Sequence, residues 1–175
     1  MTLSQELLDD QPWFKYVEPK EGESIASFLY RFRQAKGNRI SSARQLGEIL
    51  EVGTVINRWE DLLFGGRKPK QKQVEALSKA TRVEADRLWQ MFPPKGEQSQ
   101  PNTIRICAAC CLEDSYHRIA WQFHSTAGCD RHRLRLLPRC WACEKDFSVE
   151  ALLKELRCIH CGMSFKSMVK KQKPY

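Results

Sequence analysis

Between Cys107 and Cys161 the chain sets out four two-ligand pairs, each with two residues between its members. They are Cys107 and Cys110 in "CAAC", Cys129 and His132 in "CDRH", Cys140 and Cys143 in "CWAC", and Cys158 and Cys161 in "CIHC". A structural zinc ion takes four tetrahedral ligands from Cys and His, and this spacing suits it because one backbone turn aims two donors at a single ion. Eighteen residues separate the first two pairs and 14 the last two, lengths that fit the loop between two zinc knuckles. The expectation is two Zn2+ ions, one held by three cysteines and a histidine, the other by four cysteines.

Two pairings satisfy these valences. Sequential sites each close a short local loop and cost less chain entropy than a cross-braced arrangement that joins pairs one and three, and two and four. The sequential arrangement is therefore preferred, although spacing leaves the other open. Cys111 competes with Cys110 at a longer spacing that suits a knuckle less well, and is expected to be a packed, spare thiol. A thioredoxin-like redox role needs a βαβ surround that "CWAC" lacks. A catalytic zinc keeps a position open for water, whereas each set here brings four natural ligands, so both ions are expected to be structural. His117, His124 and His160 then read as packing or surface residues.

Eight cysteines in close pairs also fit a reducing compartment. The first residues, "MTLSQELLDDQPWFKY", lack a basic stretch followed by an apolar run, and no window approaches the roughly 18 apolar residues that span a bilayer. These features predict a cytoplasmic protein with no membrane partner. The formal charge is +8, from which two zinc-thiolate sites would subtract three units. Such a balance fits an acidic partner such as nucleic acid and equally a merely soluble surface.

Composition shifts at "MFPPKGEQSQPNT", a proline-rich polar run without apolar periodicity that reads as a linker. The predicted organisation is mainly α: an extended segment over 1–21, a helical helix-turn-helix-type domain over 22–92, a linker over 93–104, and two tandem small zinc motifs over 105–135 and 136–175. In the first half Ile25, Phe28, Leu29 and Phe32 repeat at helical spacing, with Gly37-Asn38 as the stop. Leu46, Ile49 and Leu50 form a second stripe, with Ser41 or Ser42 as cap. Val55, Ile56, Trp59, Leu62 and Leu63 form a third that ends at Gly65-Gly66.

"KQVEALSKA" and "EADRLWQMF" are joined only by "TRV", which predicts a helix-turn-helix with Leu77, Thr81, Val83, Leu88 and Met91 facing inward, the alternative being a helical bundle whose turn only resembles that motif. Arg82 stands where such turns favour glycine. Glu84 and Asp86 open the would-be recognition helix and oppose phosphates, so sequence-specific readout by it is not expected. Cations that suit a nucleic-acid backbone, or a plain solvated surface, are Arg67, Lys68, Lys70 and Lys72 in "GGRKPKQK", Arg131, Arg133 and Arg135 in "RHRLR", and the tail from Lys166 to Lys173. Trp13, Phe14 and Tyr16 in "PWFKYVEP" are candidate partner anchors, with packing onto the chain's own helices as the alternative.

"GESIASFLYRFRQAKG", "LSKATRVEADRLWQMF" and "IRICAACCLEDSYHRIAWQFHSTAGCDRHRLRLLPRCWACEKDF" together resemble the TniQ family of transposition proteins. The resemblance implies a non-enzymatic target-selection adaptor with a helix-turn-helix region and tandem zinc motifs, its ligands falling on the eight residues of the four pairs. It also implies partners: an AAA+ transposition regulator of the TnsC or TniB type and DNA reached through that assembly. The short span after the second zinc pair resembles the compact forms of CRISPR-associated transposons, which adds an RNA-guided effector and its guide and tracr RNA. In this family Trp121 of "HRIAWQF" reads as core packing. The rival expectation is a zinc-stabilised helix-turn-helix regulator that recognises its own DNA sequence. No Ser/His/Asp set, carboxylate trio or phosphate loop is evident that would make an enzyme.

Overall fold

The computed structural model describes residues 14–61, 68–99 and 103–175, and is mainly helical with little strand. Five helices build the first half: α1 (Ile25–Gln34), α2 (Ala43–Ile49), α3 (Val55–Glu60), α4 (Gln71–Thr81) and α5 (Ala85–Trp89). The second half has α6 (Ala108–Glu113), a 3-10 turn (Ile119–Gln122), the strands β1 (Gly128–Cys129) and β2 (Leu134–Arg135), a π-helical turn (Ala151–Glu155) and α7 (Phe165–Val169). β1 and β2 pair antiparallel, with Cys129 opposite Leu134. No helix among the described residues is long and apolar enough to cross a membrane.

α1 is the central helix of the first half. Ser24 caps it by accepting the Ser27 N–H, and Ile25, Phe28, Leu29 and Phe32 are fully buried. Burial of a large apolar side chain stabilises by roughly 1.5–3 kcal/mol, so this stripe, rather than helix propensity, fixes α1 in place. Gly37 takes a positive φ just beyond the helix, and the Asn38 amide donates to Phe32 O at 2.8 Å, which closes the exposed end. Ser42 caps α2 by accepting from Gln45 N. Leu46 and Ile56 are fully buried and Trp59 nearly so, but Ile49 is exposed, while Leu50 just after it is half-buried against this core. Leu62, Leu63 and Gly65-Gly66 lie outside the described residues. Gly47 is required by close approach, since a Cβ there would sit 2.1 Å from Gly53 O.

An ion pair stands inside this half. Arg33, 6% exposed, sends its guanidinium to both carboxylate oxygens of Glu60, at 2.7 Å for the second, and to Ile40 O at 3.2 Å. It ties α1 to α3 and to the connection before α2.

α4 and α5 form the helix-turn-helix. Leu77, Thr81, Val83, Leu88 and Met91 are all buried. Thr81 Oγ1 donates to Leu77 O at 2.8 Å and Ser78 Oγ to Val83 O at 2.6 Å, so side chains satisfy the tight turn. Arg82 occupies the left-handed region at φ 59°. Its compensation is one exposed hydrogen bond to Phe14 O at 3.3 Å. A left-handed non-glycine residue costs about 1–2 kcal/mol and glycine gives part of that back in chain entropy. Arg82→Gly is therefore expected to stabilise the protein by about 1 kcal/mol, read as a rise of a few degrees in thermal midpoint; an unchanged or lowered midpoint would contradict the strain.

The two halves meet along a polar seam. Ser24 N–H donates to His117 O at 2.8 Å, His117 N–H to Ser27 Oγ at 3.2 Å, and Ile119 N–H to Gly22 O at 2.9 Å. His117 Nδ1 pairs with Ser24 Oγ at 2.9 Å, and Tyr116 Oη donates to Glu21 O at 3.0 Å. Lys20 forms an ion pair with Asp114. Beneath them Glu23, 1% exposed, accepts from Arg31 Nη1 and from Ser27 Oγ, each at 2.7 Å. Full burial pushes His117 down to about 3, so its ring is neutral at physiological pH and costs no charge desolvation. Ala26 of α1 belongs to the apolar cluster of the second half.

Candidate metal centres

The second half gathers its eight candidate ligands into two groups. Cys107, Cys110, Cys129 and His132 form one, Cys140, Cys143, Cys158 and Cys161 the other, and within each the donor atoms lie inside 4.8 Å of one another. The groups are sequential, not cross-braced.

Local backbone explains the convergence. In all four pairs the N–H four residues after the first ligand donates back to that ligand's carbonyl: Cys111 to Cys107 at 3.1 Å, Arg133 to Cys129 at 2.8 Å, Glu144 to Cys140 at 2.9 Å, Gly162 to Cys158 at 2.9 Å. In the last three pairs the donor has a positive φ, of 53°, 58° and 75°. The first pair differs. Cys107 is the residue before α6, and Cys110 lies one turn into it, so a helix rather than a knuckle presents these sulfurs. The final residues then bind the two groups together. Gln172 Oε1 accepts from Ala108 N at 3.0 Å, its Nε2 donates to Arg135 O at 2.8 Å, and Tyr175 N–H donates to Arg133 O at 2.8 Å.

The donor sets fit a tetrahedral ion. Zn–S bonds of about 2.3 Å imply S···S edges of about 3.8 Å, and slightly shorter S···N edges. The first group shows Cys110 Sγ–Cys129 Sγ at 3.5 Å, with His132 Nδ1 3.2 Å from Cys110 and 3.7 Å from both Cys107 and Cys129. The second shows Cys140–Cys161 and Cys143–Cys158 at 3.6 Å. Both groups can hold a metal ion, and an ion there would have four protein donors.

The candidate ligand thiols shift in both directions, Cys110, Cys129, Cys140 and Cys143 upward and Cys107 and Cys158 downward, so an ion's own charge would have to draw off the remaining protons. A hydrogen bond from Cys110 lowers the Cys107 thiol, and the same shared proton, with burial, raises Cys110. Burial also acts to raise Cys158, but the N–H groups of Cys161 and His160 outweigh it and bring the thiol down to about 7. Cys111 is 1% exposed and pushed up by burial, which leaves it a protonated, packed thiol.

One participant escaped the sequence reading. His132 Nε2 lies 3.0 Å from Glu113 Oε1, and Arg131 holds the other carboxylate oxygen at 2.7 Å. With Nδ1 turned to the sulfurs, Nε2–H donates to a carboxylate that fixes the ring's tautomer and orientation. The His132 hydrogen bond, with the charge of Arg131, holds the Glu113 carboxyl below its usual range. The available signal was spacing: Glu113 is three residues after Cys110 on one helix, hence on the same face.

The other candidates fall as follows. Arg131 is engaged by Glu113, while Arg133 and Arg135 are exposed on the hairpin; Lys68, Lys70 and Lys72 are exposed at the start of α4, and Arg67 lies outside the described residues. Trp13 also lies outside them. Phe14 packs edge-on against Phe32 at 5.4 Å, whereas Tyr16 is exposed with its hydroxyl donating to Glu18. Trp121 is buried in the apolar cluster of the second half, edge-on to His117 at 5.6 Å. His124 and His160 are exposed.

A helix-turn-helix body joined through a polar seam to two four-donor groups defines a two-part module with two candidate metal centres. The chain belongs to the TniQ family, whose model matches residues 16–136. That span covers the helical half and the first metal group and ends before the second. Among curated proteins no relative matches.

Proposed function

We propose that the protein is a non-enzymatic adaptor for target-site selection in DNA transposition, carrying two structural zinc ions and linking a target-recognising effector, RNA-guided, to an AAA+ transposition regulator of the TnsC type. TniQ membership suggests the role in transposition. The observation that carries the adaptor reading is the seam: Glu23, Ser24, Ser27 and His117 lock two differently built halves together, so that partners docked on each are held at a fixed spacing. Each zinc is closed by four protein donors, which suits structure rather than catalysis.

Operator recognition by α5 is disfavoured. That helix has five residues, Glu84 and Asp86 are exposed at its start, and Arg87 is turned inward to Lys20 O. These acids would face phosphates at the end that must enter the groove.

The test is retention of the purified protein by a TnsC-type ATPase, with and without ATP and DNA. Binding that requires ATP and DNA is expected. Trp13→Ala and Tyr16→Ala are expected to weaken it about ten-fold, as loss of an aromatic anchor does, at constant thermal midpoint. Phe14→Ala, which loses its contact with Phe32, should lower the midpoint instead. Absence of ATPase binding, joined to protection of one defined sequence on naked DNA, would replace the adaptor with the regulator.

A further inference from the structure

We propose that the Trp141 knuckle is a stacking platform for an unpaired nucleobase, with the lysines of α7 and the residues after it holding the flanking phosphates. The site lies beyond the residues that define family membership, and the proposal adds a nucleic-acid contact that the adaptor reading does not require.

Trp141 sits between two ligands of one knuckle and is 53% exposed. The turn that carries it is closed by Cys140 N–H to Lys145 O and by Glu144 N–H to Cys140 O, both at 2.9 Å. A large aromatic ring is thus presented outward on a fixed backbone. Ile159 occupies the matching position of the opposite knuckle and is 50% exposed, so the outer end of this metal group offers apolar surface from both sides.

Charge selects the partner. Lys171 Nζ stands 4.8 Å from the Trp141 ring centroid. Lys166, Lys170, Lys171 and Lys173 are exposed, and none of them is ion-paired among the described residues. Three acids between the two knuckles already have partners: Asp146 pairs with Arg139 at 3.2 Å, Glu150 with Lys154 at 3.5 Å and Glu155 with Arg157 at 3.3 Å. Lys171 beside an outward indole, with exposed lysines flanking it in sequence, matches a chain that alternates phosphate charge with aromatic faces, and base stacking on such a ring is sequence-tolerant. A duplex hides its faces in its own stack, so the ligand is single-stranded: a loop or bulge of RNA, or a displaced DNA strand.

The experiment uses full-length, metal-loaded protein titrated with labelled oligouridylate, oligothymidylate and a duplex of equal length. Single strands are expected to quench tryptophan fluorescence, and Trp141→Phe to abolish the quenching while keeping most of the affinity. Trp141→Ala should weaken single-strand binding about ten-fold, leaving the salt slope and metal content as they were. Lys170, Lys171 and Lys173 changed together to Ala should instead reduce the salt slope by about two. Tighter oligouridylate binding supports the platform and assigns RNA as its source, and tighter oligothymidylate supports it and assigns DNA. Single-strand affinity untouched by Trp141→Ala, an equal loss on duplex, or loss of a protein partner with nucleic-acid binding intact would each overturn the proposal. If Trp141→Ala loses metal, the Trp141→Phe quenching and the lysine salt slope decide.

Discussion

Treatment with a strong chelator under reducing conditions is expected to unfold residues 104–175 while leaving the helices of the first half formed. The reason lies in what the second half uses as a core. Cys107, Cys110, Cys129, Cys140 and Cys158 belong to its buried cluster beside Ile106, Trp121, Leu152 and Phe165. Without an ion these sulfurs would repel one another once ionised, and once protonated would have only weak thiol contacts to hold them together. Structural zinc contributes roughly 10–16 kcal/mol in small fingers, more than the whole stability of most domains. The first half has a separate cluster, from Ile25 to Phe92, that needs none of these residues. Circular dichroism should keep the signal of α1 to α5, Trp121 fluorescence should move to that of a solvated indole, and added zinc should restore both. Protons compete with metal for thiolates, so the second half should also lose stability as pH falls. An unchanged spectrum after verified metal removal would show that apolar packing alone holds this half.

Arg33→Ala is expected to cost about 3–5 kcal/mol, the usual loss when one member of a buried ion pair is deleted. Glu60 would then keep a carboxylate in a site that burial already makes unfavourable, raising its carboxyl above the ordinary range despite Arg33. Ile40 O would lose its donor as well. Denaturant unfolding should show the loss in the transition of the first half, without change in metal content. The double change Arg33→Met with Glu60→Leu removes both charges and should recover most of the stability. A cost under about 1 kcal/mol for Arg33→Ala, typical of a surface pair, would mean that the pair is solvated in solution.

The two predictions draw on signals of very different visibility. Ligand identity and spacing made the metal groups readable, because coordination chemistry constrains residue type and separation together. The α1 stripe was readable through its 3.6-residue period. Ile49 was misplaced by the same rule, which says where a stripe lies on a helix but not how wide the core beneath it is. The seam left no periodic trace: Ser24 and Ser27 are small polar residues that lie 90 or more positions from His117 in sequence. Arg33 reads as a surface cation until Glu60 is found beside it. Spacing likewise could not tell that the first metal pair rides on a helix while the other three ride on turns with a left-handed residue.

Elemental analysis of tag-free protein purified without added metal, paired with a count of reactive thiols, addresses the foundation most directly. Two zinc atoms per chain and no disulfide are predicted, with the thiols becoming reactive only as metal leaves. A preparation that is folded and active yet metal-free, or whose paired cysteines are oxidised to one another, would contradict it.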